Sequence, residues 1–102
     1  GPVKMPLSLF TRCCGPEEEM RWVIPKDNFE RKVNELMEVI SKEKDMPPLI
    51  VHYVNGTFEL NDGNHRLEAY SRLEIAEYYV IVWITEKEEY TEFMDKYGMY
   101  ME

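Results

Sequence analysis

A chain of 102 residues, 44% hydrophobic and 13% aromatic, carries enough apolar material for one compact domain and too much for a disordered segment. Its formal charge of −8 argues against holding DNA or an anionic membrane by bulk electrostatics. The longest apolar run, Tyr78 to Ile84, is far too short to cross a bilayer, and no basic start followed by a long apolar stretch suggests secretion.

Gly1-Pro2 reads as a protease scar and is left out of the fold. Leu7-Ser8-Leu9-Phe10 is expected to be an edge strand, Gly15-Pro16 a turn, and Arg21 to Ile24 a short extended piece stopped by Pro25. Adjacent Cys13 and Cys14 match neither a zinc site nor a Cys-x-x-Cys motif, and neighbouring cysteines bridge each other only with strain. Two reduced, partly buried thiols in a cytoplasmic protein are the expectation. Glu17–Glu19 and the tail acids Glu86, Glu88, Glu89, Glu92 and Asp95 read as solvated surface, with a basic protein partner as the minority alternative.

Asp27 followed by Glu30 resembles a capping box, and Phe29, Val33, Leu36, Met37 and Ile40 recur at helical spacing. Lys32, Glu35, Glu38 and Lys42 fall on the other side, so an amphipathic helix is predicted from Asp27 to near Lys44, before Pro47-Pro48. Leu49 to Val54, Asn55-Gly56 and Thr57 to Leu60 give a hairpin signal, since Asn-Gly suits a type I′ turn. That register sets Val54 opposite Thr57 and His52 opposite Glu59, which makes His52 a cross-strand partner rather than a catalytic group.

A polar turn, Asn61–Gly63, leads into a helix from Asn64 to Leu73 with Leu67, Tyr70 and Leu73 on one face. Tyr78 to Ile84 reads as a central strand buried on both sides. Tyr90, Phe93, Met94 and Tyr97 form the stripe of a closing helix stopped near Gly98. Should Tyr78–Ile84 run parallel to the second hairpin strand, the turn would sit at the carboxyl end of a strand in a βαβ unit, where α/β sheets favour ligands.

Residues 60–70, Leu-Asn-Asp-Gly-Asn-His-Arg-Leu-Glu-Ala-Tyr, are the stretch that argues for chemistry. A helix start leaves N–H groups unpaired and presents the positive end of its dipole. Gly63 lets backbone come close to a ligand, Asn64, His65 and Arg66 place their N–H groups in the first turn, and Arg66 can grip two phosphate oxygens. Asp62 either orients a magnesium ion or ligand hydroxyl, or simply caps the helix. The bland alternative is ordinary turn-and-cap chemistry, with Arg66 paired to Glu68 or Glu59. No Walker A, Gly-x-Gly-x-x-Gly, Gly-x-Ser-x-Gly or His-Glu-x-x-His motif is present.

Pro48 to Val51, the hairpin, the Leu60–Tyr70 run and the apolar strand to Trp83 together resemble the ParB/sulfiredoxin superfamily over about residues 47–84. The nearest look is to small ParB-like nuclease domains, which often show Asp-Gly-x-His-Arg here. The resemblance implies an α+β fold, a small mixed β-sheet with packed helices, as a single domain over residues 1–102, with residues 1–20 matching least. It implies nucleotide phosphates at Asp62, Gly63, Asn64, His65 and Arg66, the nucleotide being ATP, ADP or CTP with Mg²⁺. Phosphoryl transfer or nucleotide hydrolysis would be the activity, with the catalytic base open: Glu18 and Glu30 are candidates without a matching motif.

Departures from the family prune the list. Sulfiredoxins carry their catalytic cysteine where this chain has Asn64, so sulfinic acid reduction is not expected. ParB proteins show Gly-Glu-Arg-Arg here, and Asn64 cannot replace that glutamate as a base. The alternatives are a catalytically inactive adaptor or regulatory module of the same fold and, more weakly, a DNA-binding or nuclease domain.

Overall fold

The computed structural model describes residues 1–42 and 45–101. In chain order they form β1 (Val3–Pro6), a 3₁₀ turn (Leu7–Leu9), β2 (Cys14–Gly15), β3 (Trp22–Val23), α1 (Lys26–Ser41), β4 (Leu49–Val54), β5 (Thr57–Asp62), α2 (Asn64–Arg72), β6 (Glu77–Trp83), α3 (Lys87–Tyr97) and a closing 3₁₀ turn (Gly98–Met101). The main sheet has the order β1-β6-β4-β5, with β4 and β6 parallel and the two outer pairings antiparallel. β2 and β3 form a separate, parallel two-stranded piece.

The hairpin follows its turn chemistry. Asn55 and Gly56 take φ of 54° and 76°, as a type I′ turn requires. Val54 faces Thr57 and His52 faces Glu59, as expected. The side chains choose other partners: His52 stacks on Trp83 of β6 at 3.7 Å between ring centroids, while Glu59 accepts a hydrogen bond from Arg21 at 3.0 Å. A register shift between Ile50 and Val51 lets β5 run on to Asp62, so Asn61 and Asp62 are strand and the predicted polar turn shrinks to Gly63.

β4 supplies the centre of the core through Leu49, Val51 and Tyr53, all fully buried in alternation. Met5, Leu60 and Val80 extend this face of the sheet, and Leu67 and Tyr70 of α2 and Phe93 of α3 pack with it. α1 lies outside, its Phe29 and Val33 against Ala69 of α2. α2 is thus sandwiched, and its start is framed from one side by the sheet and from the other by α1.

Several expectations are corrected. The edge strand is Val3–Pro6 rather than Leu7–Phe10: Pro6 has no N–H to continue a ladder, and Leu7 and Phe10 instead turn inward to the core. The Asp27–Glu30 capping box does not form; Pro25 precedes the helix without a side-chain cap, and Glu30 accepts hydrogen bonds from Arg72 at 2.7 and 2.8 Å. α1 ends at Ser41, and the predicted terminus at Lys44 lies outside the described residues.

β6 is central in the sheet but not covered on both sides, because the helices share one face; Tyr79, Ile81 and Trp83 are 48%, 38% and 41% exposed. It runs parallel to β4, hence opposite to β5, so the predicted βαβ unit is absent. α3 stops at Tyr97 with Gly98 as its C-cap, as expected, though Gly98 keeps a right-handed φ of −58° and a 3₁₀ turn follows. No helix among the described residues is long and apolar enough to cross a membrane.

Candidate anion site at the start of α2

One residue converts the strand into the helix. Gly63 holds φ at 105°, and a Cβ there would collide with the Leu49 side chain while lying 3.2 Å from the Arg66 guanidinium. The first amide of α2 to find an acceptor in its own helix is that of Leu67, which donates to the Gly63 carbonyl at 2.8 Å. The N–H groups of Asn64, His65 and Arg66 therefore have no helical partner and carry the positive end of the dipole.

The five residues singled out from the sequence divide into two groups. Arg66 faces inward and is 6% exposed. Its guanidinium donates to the carbonyls of Pro47 and Pro48 and lies 3.5 Å from an Asp62 oxygen. It therefore ties the chain entering β4 to the start of α2, and Gly63 has to be small to let it pass. The Asn64 amide is also committed: its oxygen accepts from the Cys13 N–H at 2.6 Å and its nitrogen donates to the Leu60 carbonyl at 3.1 Å. Asp62, with a side chain 67% exposed, points to solvent at the end of β5.

His65 lies on the opposite side of the helix start, its ring 5.2 Å from that of Phe29 on α1. Burial lowers its pKa, and the charges of Lys32 and Arg12 lower it further. Those two cations were not singled out from the sequence. Lys32 falls on the polar side of the predicted helix, and Arg12 lies in a loop with no motif around it. Only the gathering of basic groups in an acidic chain could have hinted at them, and that gathering is spatial.

Arg12 stacks over the Phe29 ring at 4.7 Å and is ion-paired with Glu17 at 2.6 Å and Glu68 at 3.3 Å. Glu17 is the chief reason its pKa is raised. Of the two candidate bases, Glu30 is held below the ordinary carboxylate range by Arg72, and Glu18 is exposed. Cys13 and Cys14 are free thiols, and burial pushes that of Cys14 up. Among the described residues no group of three His, Cys, Asp or Glu side chains is placed to hold a metal ion.

The model of the ParB N-terminal domain matches residues 22–94, which run from β3 into α3 and contain the whole α2 start. The chain belongs to the ParB N-terminal domain family. No curated protein matches it. Among solved structures, sulfiredoxin from Arabidopsis thaliana is 28% identical, with a TM-score of 0.62 over 92% of this chain and 97% of that one. C-terminally truncated ParB from Caulobacter crescentus, complexed with CTP-γ-S, is 16% identical, with a TM-score of 0.58 over 96% of this chain and 53% of that one. A Pnob8-like ParB-N domain is likewise 16% identical, with a TM-score of 0.59 over 96% of this chain and 37% of that one. This chain therefore spans about half of that ParB structure. The family and the shared α+β architecture, three helices on a mixed four-stranded sheet, agree with what the Asp-Gly-x-His-Arg run implied.

Proposed function

We propose that the start of α2 holds the phosphates of a nucleotide. The observation that carries this is the gathering of His65 and Arg12 around the Phe29 ring of α1, the helix that also carries Lys32, beside three helical N–H groups without a helical partner, in a chain of net charge −8. Burial is the first cause of the lowered His65 pKa and the like charges of Lys32 and Arg12 add to it; an anion between them would offset that added part. A further support is the related ParB that was crystallised with a CTP analogue.

In this arrangement Gly63 lets the backbone approach, and Asn64, His65 and Arg66 donate main-chain N–H groups. The His65 imidazole and the Lys32 ammonium face the phosphates, while Arg66 acts as a positioning residue through Pro47 and Pro48. Mg²⁺ bound to ATP, ADP or CTP needs only one or two protein carboxylates, and the exposed Asp62 fits that modest demand.

Two activities of different kind follow. Phosphoryl transfer or nucleotide hydrolysis needs a free base beside the phosphates. The carboxylates around the cationic group, Glu17, Glu30 and Glu68, are all held by arginines, which favours a nucleotide-responsive adaptor or regulatory module. Calorimetry with ATP, ADP and CTP, with and without Mg²⁺, tests the proposal on wild type, Lys32→Ala and His65→Ala. Saturable binding weakened in both variants supports it, and product formation then separates enzyme from adaptor. Absence of binding by all three nucleotides contradicts it.

A further inference from the structure

α2 and α3 cover one face of the main sheet and leave the other bare. Along β6 the side chains that alternate with buried Val80 are Tyr79, Ile81 and Trp83, all exposed, and Ile50 of β4 pairs with Ile81 on the same face. A sheet with one face in water ordinarily turns polar residues toward it, so a large apolar row there marks a contact surface. With its sheet covered on one side only, the molecule is a plate of 41 × 32 × 18 Å.

Two features say what this face meets. First, Trp83 is already fixed: its ring lies on that of His52 at 3.7 Å and 6°, and its N–H donates to the Asn61 side chain at 2.7 Å. The indole has no polar group left to satisfy and little freedom to lose, the properties of an interface anchor. Second, the charges bordering the face are balanced, although the chain carries −8. Lys4 pairs with Glu77 at 3.9 Å on the β1 side and reaches over the Tyr79 ring at 5.4 Å, and Arg21 pairs with Glu59 at 3.0 Å on the β5 side. The acids of α3 belong to the opposite, helical side of the sheet.

This balance selects the occupant. A nucleic acid or an acidic protein would find each of these cations already paired, and a basic protein would find each of these carboxylates taken. An identical face brings one cation and one carboxylate to each edge whichever way a two-fold axis runs, and sets apolar row on apolar row. A plate 41 × 32 Å across is also broad enough for the roughly 800 Å² per partner that a stable interface buries.

We propose that the open face of the sheet pairs with the same face of a second copy, forming a two-fold dimer of sheet on sheet. The two sheets pack about 10 Å apart, the usual face-to-face spacing. The start of α2 lies behind the sheet in each copy, so the anion site stays open to solvent in the dimer.

Sedimentation equilibrium on the full chain tests this. Between about 5 μM and about 0.5 mM the weight-average mass should rise from the 12.2 kDa of one copy toward twice that. Ile81→Lys, at an exposed position, should weaken association at least about tenfold without changing the denaturant midpoint. Lys4→Glu should also weaken it, and exchanging the pair as Lys4→Glu with Glu77→Lys should restore it. That exchange carries the test should Ile81→Lys unfold the chain. Tyr90→Lys, in the separate apolar groove between the end of β6 and α3, should leave association unchanged. A single copy at every concentration would overturn the proposal and leave the face to a partner of another sequence. So would association that survives Ile81→Lys and is lost in Tyr90→Lys, since the contact would then be the groove.

Discussion

The two sides of the α2 start use positive charge in opposite ways. On the buried side, Arg66 spends its donors on two backbone carbonyls and an aspartate. On the open side, His65 sits near Lys32 and Arg12, and the proximity is unfavourable to its protonated form. Arg66 and the ion-paired Arg12 are fasteners, whereas His65 and Lys32 on the open side are the groups left to meet an anion. Chemical type alone does not distinguish them, since histidine and arginine are adjacent in sequence.

Substitutions that exchange these roles would break the comparison. The largest expected effect is Arg66→Ala, which leaves the Pro47 and Pro48 carbonyls without their donor: stability should fall by about 2–4 kcal/mol in denaturant titrations. Gly63→Ala comes next, at about 1–3 kcal/mol, because alanine resists a φ of 105° and its Cβ meets Leu49. Lys32→Ala should leave stability within about 0.5 kcal/mol, since it removes an exposed charge. The same variant should weaken nucleotide binding by about tenfold, the worth of one charge-assisted contact. A variant at Lys32 that unfolds the chain, or one at Arg66 that affects only binding, would reverse the assignment.

The smallest effect is in pH dependence. His65 has a lowered pKa in the folded chain, so the unfolded chain takes up the proton first. Its neutral form favours folding fully above the unfolded value of about 6.5, and that contribution is lost as pH falls below it. Replacing His65 by Gln should flatten this part of a stability–pH curve. Lys32→Ala should raise the His65 pKa toward its ordinary value, as read by NMR titration. Nucleotide binding should tighten as pH falls through the same range, because bound phosphate favours the imidazolium.

Much of residues 49–83 was legible because local rules and burial agree there. Asn55-Gly56 sets the hairpin register, and the alternation in Leu49–Tyr53 marks a strand with one face in the core. The helix over Asn64–Arg72 and the family resemblance followed from the same stretch. Topology was less accessible: nothing in Tyr78–Ile84 says that its parallel neighbour is β4 rather than β5. The open face of β6 was hidden for a related reason, since Tyr79, Ile81 and Trp83 look like core in sequence.

At the start of α2 the turn was legible in the sequence, but its contacts were not. Asp62 to Arg66 could be located, whereas the inward turn of Arg66 depends on carbonyls nearly twenty residues earlier. Arg12 comes to the site from a distant loop that the Asn64 side chain fastens at the Cys13 amide, a contact across 51 positions. Glu30, paired with Glu18 as a candidate base, proves to be an anchor for Arg72. Such assignments need distances, and sequence spacing does not supply them.

The most direct test is an NMR titration of His65 with and without saturating ATP and Mg²⁺. ATP should raise the His65 pKa and shift the Asn64, His65 and Arg66 amides, while the ring signals of Trp83, stacked on His52 away from α2, stay as they were. A His65 pKa and α2 amides that do not respond to the nucleotide would contradict it.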